Sequence, residues 1–144
     1  MDEIVEVRDD DALLACWPVM AQLRPHVGRD VFVGRVREQL QTGYRVACLR
    51  DGEAVVRAVA GYRIGKNLAW GAHLYVDDLA TDAAERSRGH GAKLFAWLVD
   101  EARRNGCAQL HLDSGVARFD AHRFYLRHRM RIASHHFVLD LGGG

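Results

Sequence analysis

The chain has 144 residues, 49% of them apolar and 27% charged, which is the composition of an ordinary globular domain. Its 20 basic and 19 acidic side chains leave a net charge of +1, so charge gives no reason to expect a nucleic acid or a membrane surface as a partner. The first residues lack a secretory signal, and no apolar run approaches the ~18 residues of a membrane span. Three widely spaced cysteines form no disulfide framework, and we expect a reducing, cytoplasmic setting.

The first third of the chain predicts one strand and two helices. Apolar alternation at residues 4–7 is typical of a strand. The aspartates at 9–11 can cap a helix, because carboxylates stabilise its positive N-terminal end. Apolar residues at helical spacing follow, and that helix should stop near Pro25. A second helix is predicted at 30–41, before Gly43.

The middle of the chain predicts three strands. Residues 44–49 and 55–64 are joined by Asp51 and Gly52, a strong hairpin-turn signal. A second turn leads into a long strand at 68–81. Strands that follow one another through short turns are expected to pair antiparallel.

The last third predicts two helices and two strands. A helix at 88–104 carries one apolar face and ends at Asn105-Gly106. A short buried strand follows at 107–112, then a short helix at 119–128 and a final strand at 132–141.

The predicted order is β-α-α-β-β-β-α-β-α-β, a mixed α/β fold. A strand, a helix and a strand between residues 70 and 112 imply one parallel pair within an otherwise antiparallel sheet. No repeat or linker divides the sequence, so we expect a single domain over residues 1–141. The three glycines at 142–144 should form a flexible tail.

The most informative segment lies between the long strand and the helix that follows it. Its glycines allow a tight turn, and the free amides of a helix N-terminus bind phosphate groups. A plain turn that merely starts a helix explains the glycines equally well. A P-loop and a dinucleotide fingerprint both fit poorly, since Gly-Lys-Ser/Thr and a third glycine are absent. The segment reads Arg86-Ser87-Arg88-Gly89-His90-Gly91-Ala92.

Three signals together resemble the GNAT superfamily of acetyl-CoA-dependent N-acetyltransferases. Arg86-x-x-Gly89-x-Gly91 is similar to the family signature Q/R-x-x-G-x-G/A. The strand before it stands where the family places its acetyl-CoA-binding strand, and the segment Ala121-His122-Arg123-Phe124-Tyr125 resembles the family's A-x-x-F/L-Y helix. The chain departs from the pattern at Arg118, where Asn is common, and at Arg129-Met130, where Gly-Phe is common.

The resemblance implies a GNAT-like acyl-CoA N-acyltransferase fold, with helices flanking a mostly antiparallel mixed sheet. In this family two parallel strands splay apart and the pantetheine arm of CoA inserts between them. Here the splayed pair would be residues 68–81 and 107–113. The backbone of Leu79, Ala80 and Thr81 should meet pantetheine and the acetyl carbonyl, and residues 86–92 should hold the pyrophosphate.

The implied reaction is direct attack of an amine on the thioester, which needs a base and an acid. Tyr125 matches the family tyrosine and is our candidate acid; the alternative is that its ring only packs. Asp77 and Asp78 are candidates for the base. As neighbours on a strand they should point to opposite faces. The pair resembles that of polyamine-type members, and we favour Asp77 slightly. In the alternative both are structural and paired to arginines.

The acceptor is expected to be a primary amine on a small molecule, a polyamine or a protein. A second hypothesis is a non-catalytic module that senses acetyl-CoA or serves in an assembly. The scattered histidines form no convincing ligand set, so no metal is expected. Whether the chain forms a homodimer is left open, since no segment indicates an interface.

Overall fold

The computed structural model describes residues 1–86 and 88–143. The predictions made for Ser87 and Gly144 lie outside these residues. The chain forms two compact units, Met1–Leu112 and Asp113–Gly144; a single domain over residues 1–141 stays a prediction. The helices and strands are β1 (Glu3–Val7), α1 (Asp10–Leu23), α2 (Arg29–Leu40), β2 (Tyr44–Arg50), β3 (Val56–Asn67), β4 (Gly71–Thr81), a 3-10 turn (Ala83–Glu85), α3 (His90–Arg104), β5 (Gln109–Leu112) and α4 (Phe119–Arg127).

The first unit is a five-stranded sheet in the order β1-β2-β3-β4-β5. The neighbours pair antiparallel except β4 and β5, which are parallel. A parallel pair needs a crossover connection, and α3 supplies it. The predicted mixed sheet and its single parallel pair are confirmed.

Helix α1 begins where the aspartates predicted it. The Asp9 carboxylate accepts a hydrogen bond from the backbone N–H of Ala12 (2.9 Å), which satisfies one of the amides left free at a helix start. The helix ends at Leu23, two residues before Pro25. This end matters for the site, because it directs Arg24 toward β4.

Apolar side chains form one core on each face of the sheet. Successive residues of β2 alternate between them: Val46 and Cys48 belong to the core under α1 and α2, and Ala47 and Leu49 belong to the core under α3. Both cores are almost completely shielded from water. The two faces are named below as the α1–α2 face and the α3 face.

The predicted final strand at 132–141 is wrong. These residues form neither helix nor strand, and their large apolar side chains are exposed. The alternating pattern is real, but a strand exists only when its N–H and C=O groups pair with another strand. No residue in the described part of the chain pairs with this segment.

Across residues 1–86 and 88–143, no helix has the length and apolarity needed to cross a membrane.

Candidate active site

The parallel pair comes to an end in the middle of β4. The last pair of residues joining β4 to β5 is Val76 and Leu112. On its other side β4 stays paired with β3 as far as Thr81. The β5 side of residues 77–81 therefore has no neighbouring strand in the region the structure describes, and this stretch includes Leu79, Ala80 and Thr81.

A β-bulge marks the same point of β4. Gly61 of β3 pairs with Asp78 and Tyr62 pairs with Val76, so Asp77 is the extra residue. A bulge breaks the alternation of a strand and redirects the side chains beside it. Both carboxylates consequently contact the α1–α2 face, where Tyr44 and Arg63 are cross-strand partners. The prediction that the two aspartates point to opposite faces is wrong for this reason.

Both oxygens of Asp78 accept hydrogen bonds. Tyr44 donates its hydroxyl to Oδ2 (2.6 Å), and Arg24 donates Nε–H to Oδ1 (2.9 Å). Only 15% of the Asp78 side chain is exposed. Burial and the negative charge of Asp78 raise the pKa of the Tyr44 phenol, which keeps it a donor at neutral pH. Asp78 thus ties β4 to β2 and to the end of α1.

Gly61 makes room for this pair. A Cβ atom at that position would lie 1.7 Å from the Tyr44 hydroxyl oxygen and 2.7 Å from Asp78 Oδ2. No side chain of any size is compatible with these contacts. A glycine inside an apolar strand often marks a bulge or a close approach, and this signal could have located the site from the sequence.

Asp77 is held at one oxygen only. Its Oδ2 accepts from Nε–H of Arg63 (3.1 Å), whereas Oδ1 is buried with no hydrogen-bond partner. Arg63 is itself fixed by Gln39 of α2 (2.9 Å). Burial raises the pKa of Asp77, an effect that the Arg63 charge only partly offsets. A buried carboxylate oxygen without a partner is costly, so this atom is suited to receive a proton.

Both aspartates therefore have arginine partners, as we expected for the alternative in which both are structural. Arg24 also donates to the backbone carbonyl of Asp77 (2.9 Å), which fixes the bulge. The two carboxylates still differ, because both oxygens of Asp78 accept hydrogen bonds and only one oxygen of Asp77 does. Sequence reasoning missed Arg24, Tyr44 and Arg63, which come from three separate elements and have no common spacing.

The start of α3 has the geometry expected of an anion site. Gly89 caps the helix with a φ of 80°, a left-handed conformation that favours glycine. The first helical bond runs from the Lys93 N–H to the Gly89 carbonyl (3.0 Å), so the N–H groups of residues 90–92 have no partner inside the helix. Arg86 and Arg88 are exposed on either side of the undescribed Ser87.

The His90 side chain is buried beneath this helix start. It is 7% exposed, and its Nδ1 has no hydrogen-bond partner. Lys93, one turn later, donates to the carboxylate of Asp2 (2.8 Å), and this bond lowers the pKa of Asp2. Of the predicted pyrophosphate segment, the structure thus places Gly89, Gly91 and Ala92 at the helix start and turns the His90 ring into the protein.

The turn between β4 and α3 is anchored from two sides. Gln22 of α1 accepts a hydrogen bond from the Ala83 N–H (2.8 Å). Arg57 of β3 pairs with Asp51 (2.8 Å) and Asp82 (3.2 Å). The N–H of Val55, aided by Arg57, lowers the pKa of Asp51 to about 2. These contacts fix the position at which α3 begins.

A second polar cluster lies on the α3 face. Tyr62 donates its hydroxyl to Glu101 Oε2 (2.8 Å), and Arg104 contacts Oε1 (3.1 Å). Arg45 lies 3.8 Å from Oε2. Glu101 is only 9% exposed, and burial together with Glu101 raises the pKa of Tyr62. The cluster attaches the C-terminal half of α3 to the sheet.

Tyr125 belongs to the second unit, where α4 confirms the predicted short helix. Burial raises the pKa of the Tyr125 phenol. The helix ends in a turn in which the Met130 N–H bonds to the Tyr125 carbonyl (3.1 Å) and Arg129 has a φ of 69°. Arg129 therefore occupies a conformation that favours glycine, at the place where the sequence departs from the Gly-Phe pattern.

Within residues 1–86 and 88–143, no group of three or more His, Cys, Asp or Glu side chains is placed to hold a metal ion.

Comparisons with known proteins identify the family and the fold. The profile of the acetyltransferase (GNAT) family matches residues 11–129. An uncharacterized N-acetyltransferase, YhdJ, from Bacillus subtilis (strain 168) is 34% identical over 110 residues, covering 76% of this chain and 77% of that protein. Aminoalkylphosphonate N-acetyltransferase from Salmonella typhimurium (strain LT2) is 31% identical over 123 residues, covering 85% and 77%.

A solved structure shares the fold at much lower identity. It is that of AAC(6')-Iy in complex with the bisubstrate analogue CoA-S-monomethyl-acetylneamine. It superimposes with a TM-score of 0.83 at 14% identity, covering 99% of both chains.

Proposed function

Since the chain belongs to the GNAT family of acetyltransferases and is an acyltransferase, we propose that it transfers the acetyl group of acetyl-CoA directly to a primary amine. The observation that carries this proposal is the coincidence of three features along one stretch of chain: the free β5-side edge of β4, the bulge at Asp77 and the amides at the start of α3.

The described residues fit acetyl-CoA as a co-substrate. The unpaired edge of β4 at residues 77–81 offers backbone groups to an extended amide-containing arm, as an added strand would. The α3 N-terminus and the exposed Arg86 and Arg88 favour a pyrophosphate. In AAC(6')-Iy, which has the same fold, the bound analogue contains a CoA moiety. We infer that this chain binds CoA along the edge of β4 and at the start of α3.

The chemistry exchanges one bond for another. A C–N amide bond forms, the C–S thioester bond breaks, one proton leaves the amine and one proton reaches the thiolate of CoA. Acetyl-CoA supplies the activated acyl group. The protein has to remove the first proton, donate the second and aim a backbone N–H at the carbonyl oxygen, where negative charge develops.

Asp77 is our candidate for the base. Its Oδ1 is buried without a partner, its pKa is raised by burial, and it lies at the bulge where the parallel pair ends. Asp78 has no oxygen available, since Tyr44 and Arg24 occupy both. Asp78 therefore acts as a positioning residue that holds the bulge, and Asp77 takes the proton of the amine, directly or through water.

Tyr125 is our candidate for the acid. The proposal depends on the position of this residue in the A-x-x-F/L-Y segment. Its raised pKa keeps the phenol protonated at neutral pH, as a proton donor to a thiolate requires.

The acceptor is proposed to be a small cationic amine. Arg24 and Arg63 balance the formal charge of Asp78 and Asp77, so the preference for an ammonium group rests on Asp77 Oδ1, the carboxylate oxygen without a partner. The Salmonella relative is named for an aminoalkylphosphonate, which supports a small amine as the acceptor but, because of its anionic phosphonate, not a positive net charge on it. A polyamine or a protein amine is the next class to test.

The test measures release of the CoA thiol with acetyl-CoA and a panel of small amines, together with calorimetric titration of acetyl-CoA. Asp77→Asn should lower kcat/KM by roughly 10²-fold or more, the usual size of a base contribution, without changing acetyl-CoA affinity. Asp78→Asn is the matched control, with the same change of charge one residue away, and should act mainly on stability.

Two results would contradict the proposal. If Asp77→Asn keeps the wild-type rate and pH profile, Asp77 is not the base. If the wild-type protein binds acetyl-CoA but acetylates no amine of any class, the chain is the non-catalytic acetyl-CoA module considered from the sequence.

A further inference from the structure

Three ring side chains meet near the start of β4 and are named here the ring cluster: Trp70, His73 and His111. The indole of Trp70 stacks on the imidazole of His111, with 3.5 Å between the ring centroids and 12° between the planes. The His73 ring lies 5.0 Å from that of Trp70 and nearly perpendicular to it, at 88°. Trp70 belongs to neither core of the sheet, and the proposed chemistry has so far used none of the three rings.

The ring cluster lies on the same face of the sheet as Asp77. Leu74 packs on the α3 face, so His73 and Tyr75 on either side of it point to the α1–α2 face. His111 is the β5 partner of Tyr75 in the parallel pair. Asp77 follows Tyr75 by two residues, which puts the backbone of His111 roughly 8 Å from that of Asp77. The cluster therefore continues the surface that begins at the proposed base.

His73 contributes a hydrogen-bond acceptor to this surface. Its Nδ1 lies 2.9 Å from the backbone carbonyl oxygen of Gly71. A carbonyl oxygen can only accept, so Nδ1 carries the proton and Nε2 of the neutral ring keeps a lone pair. The side chain is half-buried beside Trp70, and it suits a ligand group that donates a hydrogen bond.

The electrostatics of the surface favour a cation. Trp70 is 36% exposed although one of its faces is stacked on His111, so its other face is open to water, and an indole face carries partial negative charge. The nearest full positive charge, Arg63, is paired with Asp77 (3.1 Å). Lys66 alternates to the α3 face and does not oppose a cation here.

We propose that the ring cluster binds the non-reacting end of the acceptor and that this end is a second ammonium group, as in a diamine or a longer polyamine. The reacting amine meets Asp77 Oδ1, while the second ammonium lies over the open face of Trp70 and donates to His73 Nε2. The proposal rests on the acetyl transfer proposed above. It adds the charge of the second group and its distance from the first, roughly 8 Å.

The first experiment compares linear diamines with monoamines of the same chain length, by kcat/KM at saturating acetyl-CoA. The wild type should prefer the diamine roughly three- to tenfold once the chain spans the gap. The preference should lie in KM rather than in kcat, because the second ammonium takes no part in bond making. Trp70→Ala should bring the ratio close to one.

Leu68→Ala is the matched control. Leu68 lies in the same turn as Trp70 and is fully exposed, so the ratio should keep its wild-type value. Two conservative variants separate the contacts: Trp70→Phe keeps a ring face and should retain part of the preference, whereas His73→Phe keeps a ring but loses the acceptor. Circular dichroism and melting curves of each variant separate loss of binding from loss of folding.

A second experiment measures binding without turnover. The chain has three tryptophans, and the indole N–H signal of Trp70 in an NMR spectrum is the one that disappears in Trp70→Phe. Hexamethylenediamine, added without acetyl-CoA, should shift this signal in a saturable way. The control ligand n-hexylamine has the same chain with one amine and should shift it much less.

The outcomes keep the two proposals apart. Equal kcat/KM for diamines and monoamines at every chain length would overturn the role of the ring cluster and leave acetyl transfer standing. A preference that survives in folded Trp70→Ala would do the same. If no amine is acetylated but the Trp70 signal shifts with the diamine, the proposed function fails and the diamine site stands. Absence of both turnover and shift would overturn both.

Discussion

The sheet carries a tyrosine–carboxylate pair on each of its faces, and the two pairs are built for different purposes. On the α3 face, Tyr62 donates to Glu101, and both oxygens of Glu101 have partners. On the α1–α2 face, Tyr44 donates to Asp78, and the neighbouring Asp77 keeps one buried oxygen without a partner. A fully satisfied network stabilises a fold, whereas an unsatisfied buried carboxylate oxygen costs stability and so requires an explanation of its own.

The two pairs also differ in where they lie in the sheet. Glu101 lies in the last turn of α3, where its bonds join the helix to a regular part of the sheet. The aspartates lie at a bulge, where β4 loses its β5 neighbour. Bulges occur often beside active sites, because they aim side chains that a regular strand would turn away. The comparison predicts that changes to Glu101 affect stability and that changes to Asp77 affect activity.

The largest expected effect is on the α3 face. Glu101→Ala should lower the free energy of unfolding by about 3 kcal/mol, because it removes two hydrogen bonds to a buried carboxylate and leaves the buried Tyr62 hydroxyl without its partner. Chemical denaturation with urea measures the change. Below the melting temperature, kcat should stay near the wild-type value; a large loss of kcat in a fully folded variant would contradict the division of roles.

A smaller effect is expected from filling the space beside Tyr44. Gly61→Ala places a methyl group where the Tyr44 ring and the Asp78 carboxylate now lie, so the pair must separate at a cost of about 1–3 kcal/mol. The bulge should move with it, and kcat should fall along with stability. Gly65→Ala on the same strand is the control, since its nearest contact is 3.8 Å away. Equal effects of the two changes would refute the role of Gly61.

Three tyrosine-to-phenylalanine changes sharpen the comparison further. Tyr62→Phe and Tyr44→Phe should each cost about 1–2 kcal/mol of stability, since each leaves a buried carboxylate one donor short. Tyr125→Phe should leave stability almost unchanged and lower kcat by at least ~10-fold, the lower range of an acid contribution. Rates and melting curves are measured on the same samples. An unchanged rate in folded Tyr125→Phe would remove its role as acid.

The smallest effect is a dependence of stability on pH. Burial raises the folded-state pKa of Asp77 above 3.8, so the folded protein holds this proton more tightly than the unfolded chain. Stability contributed by the protonated form is complete below 3.8 and is lost as pH rises through the folded-state pKa. The wild type should therefore lose stability as Asp77 ionises, whereas Asp77→Asn should not. The Tm of Asp77→Asn minus that of the wild type should increase between pH 4 and pH 7. A constant difference across this range would contradict the raised pKa.

Much of the site was accessible from local sequence. The Gly89 turn and the helix after it follow from chain geometry that depends only on neighbouring residues. Gly61 could have indicated a bulge or a close approach nearby, but the residue at the bulge was not accessible, because it depends on the register between β3 and β4. Nor were Arg24, Tyr44 and Arg63, which are brought to the aspartates by three different elements.

The sequence alone determined the order of elements as far as α4, the parallel pair and the helix that begins after Gly89, since periodicity, turn residues and caps are local properties. Only the tertiary structure decided which aspartate keeps a free oxygen, and that residues 132–141 have no strand partner among residues 1–86 and 88–143. Both depend on which groups of distant segments come within hydrogen-bond distance, and alternation along one segment carries no information about that.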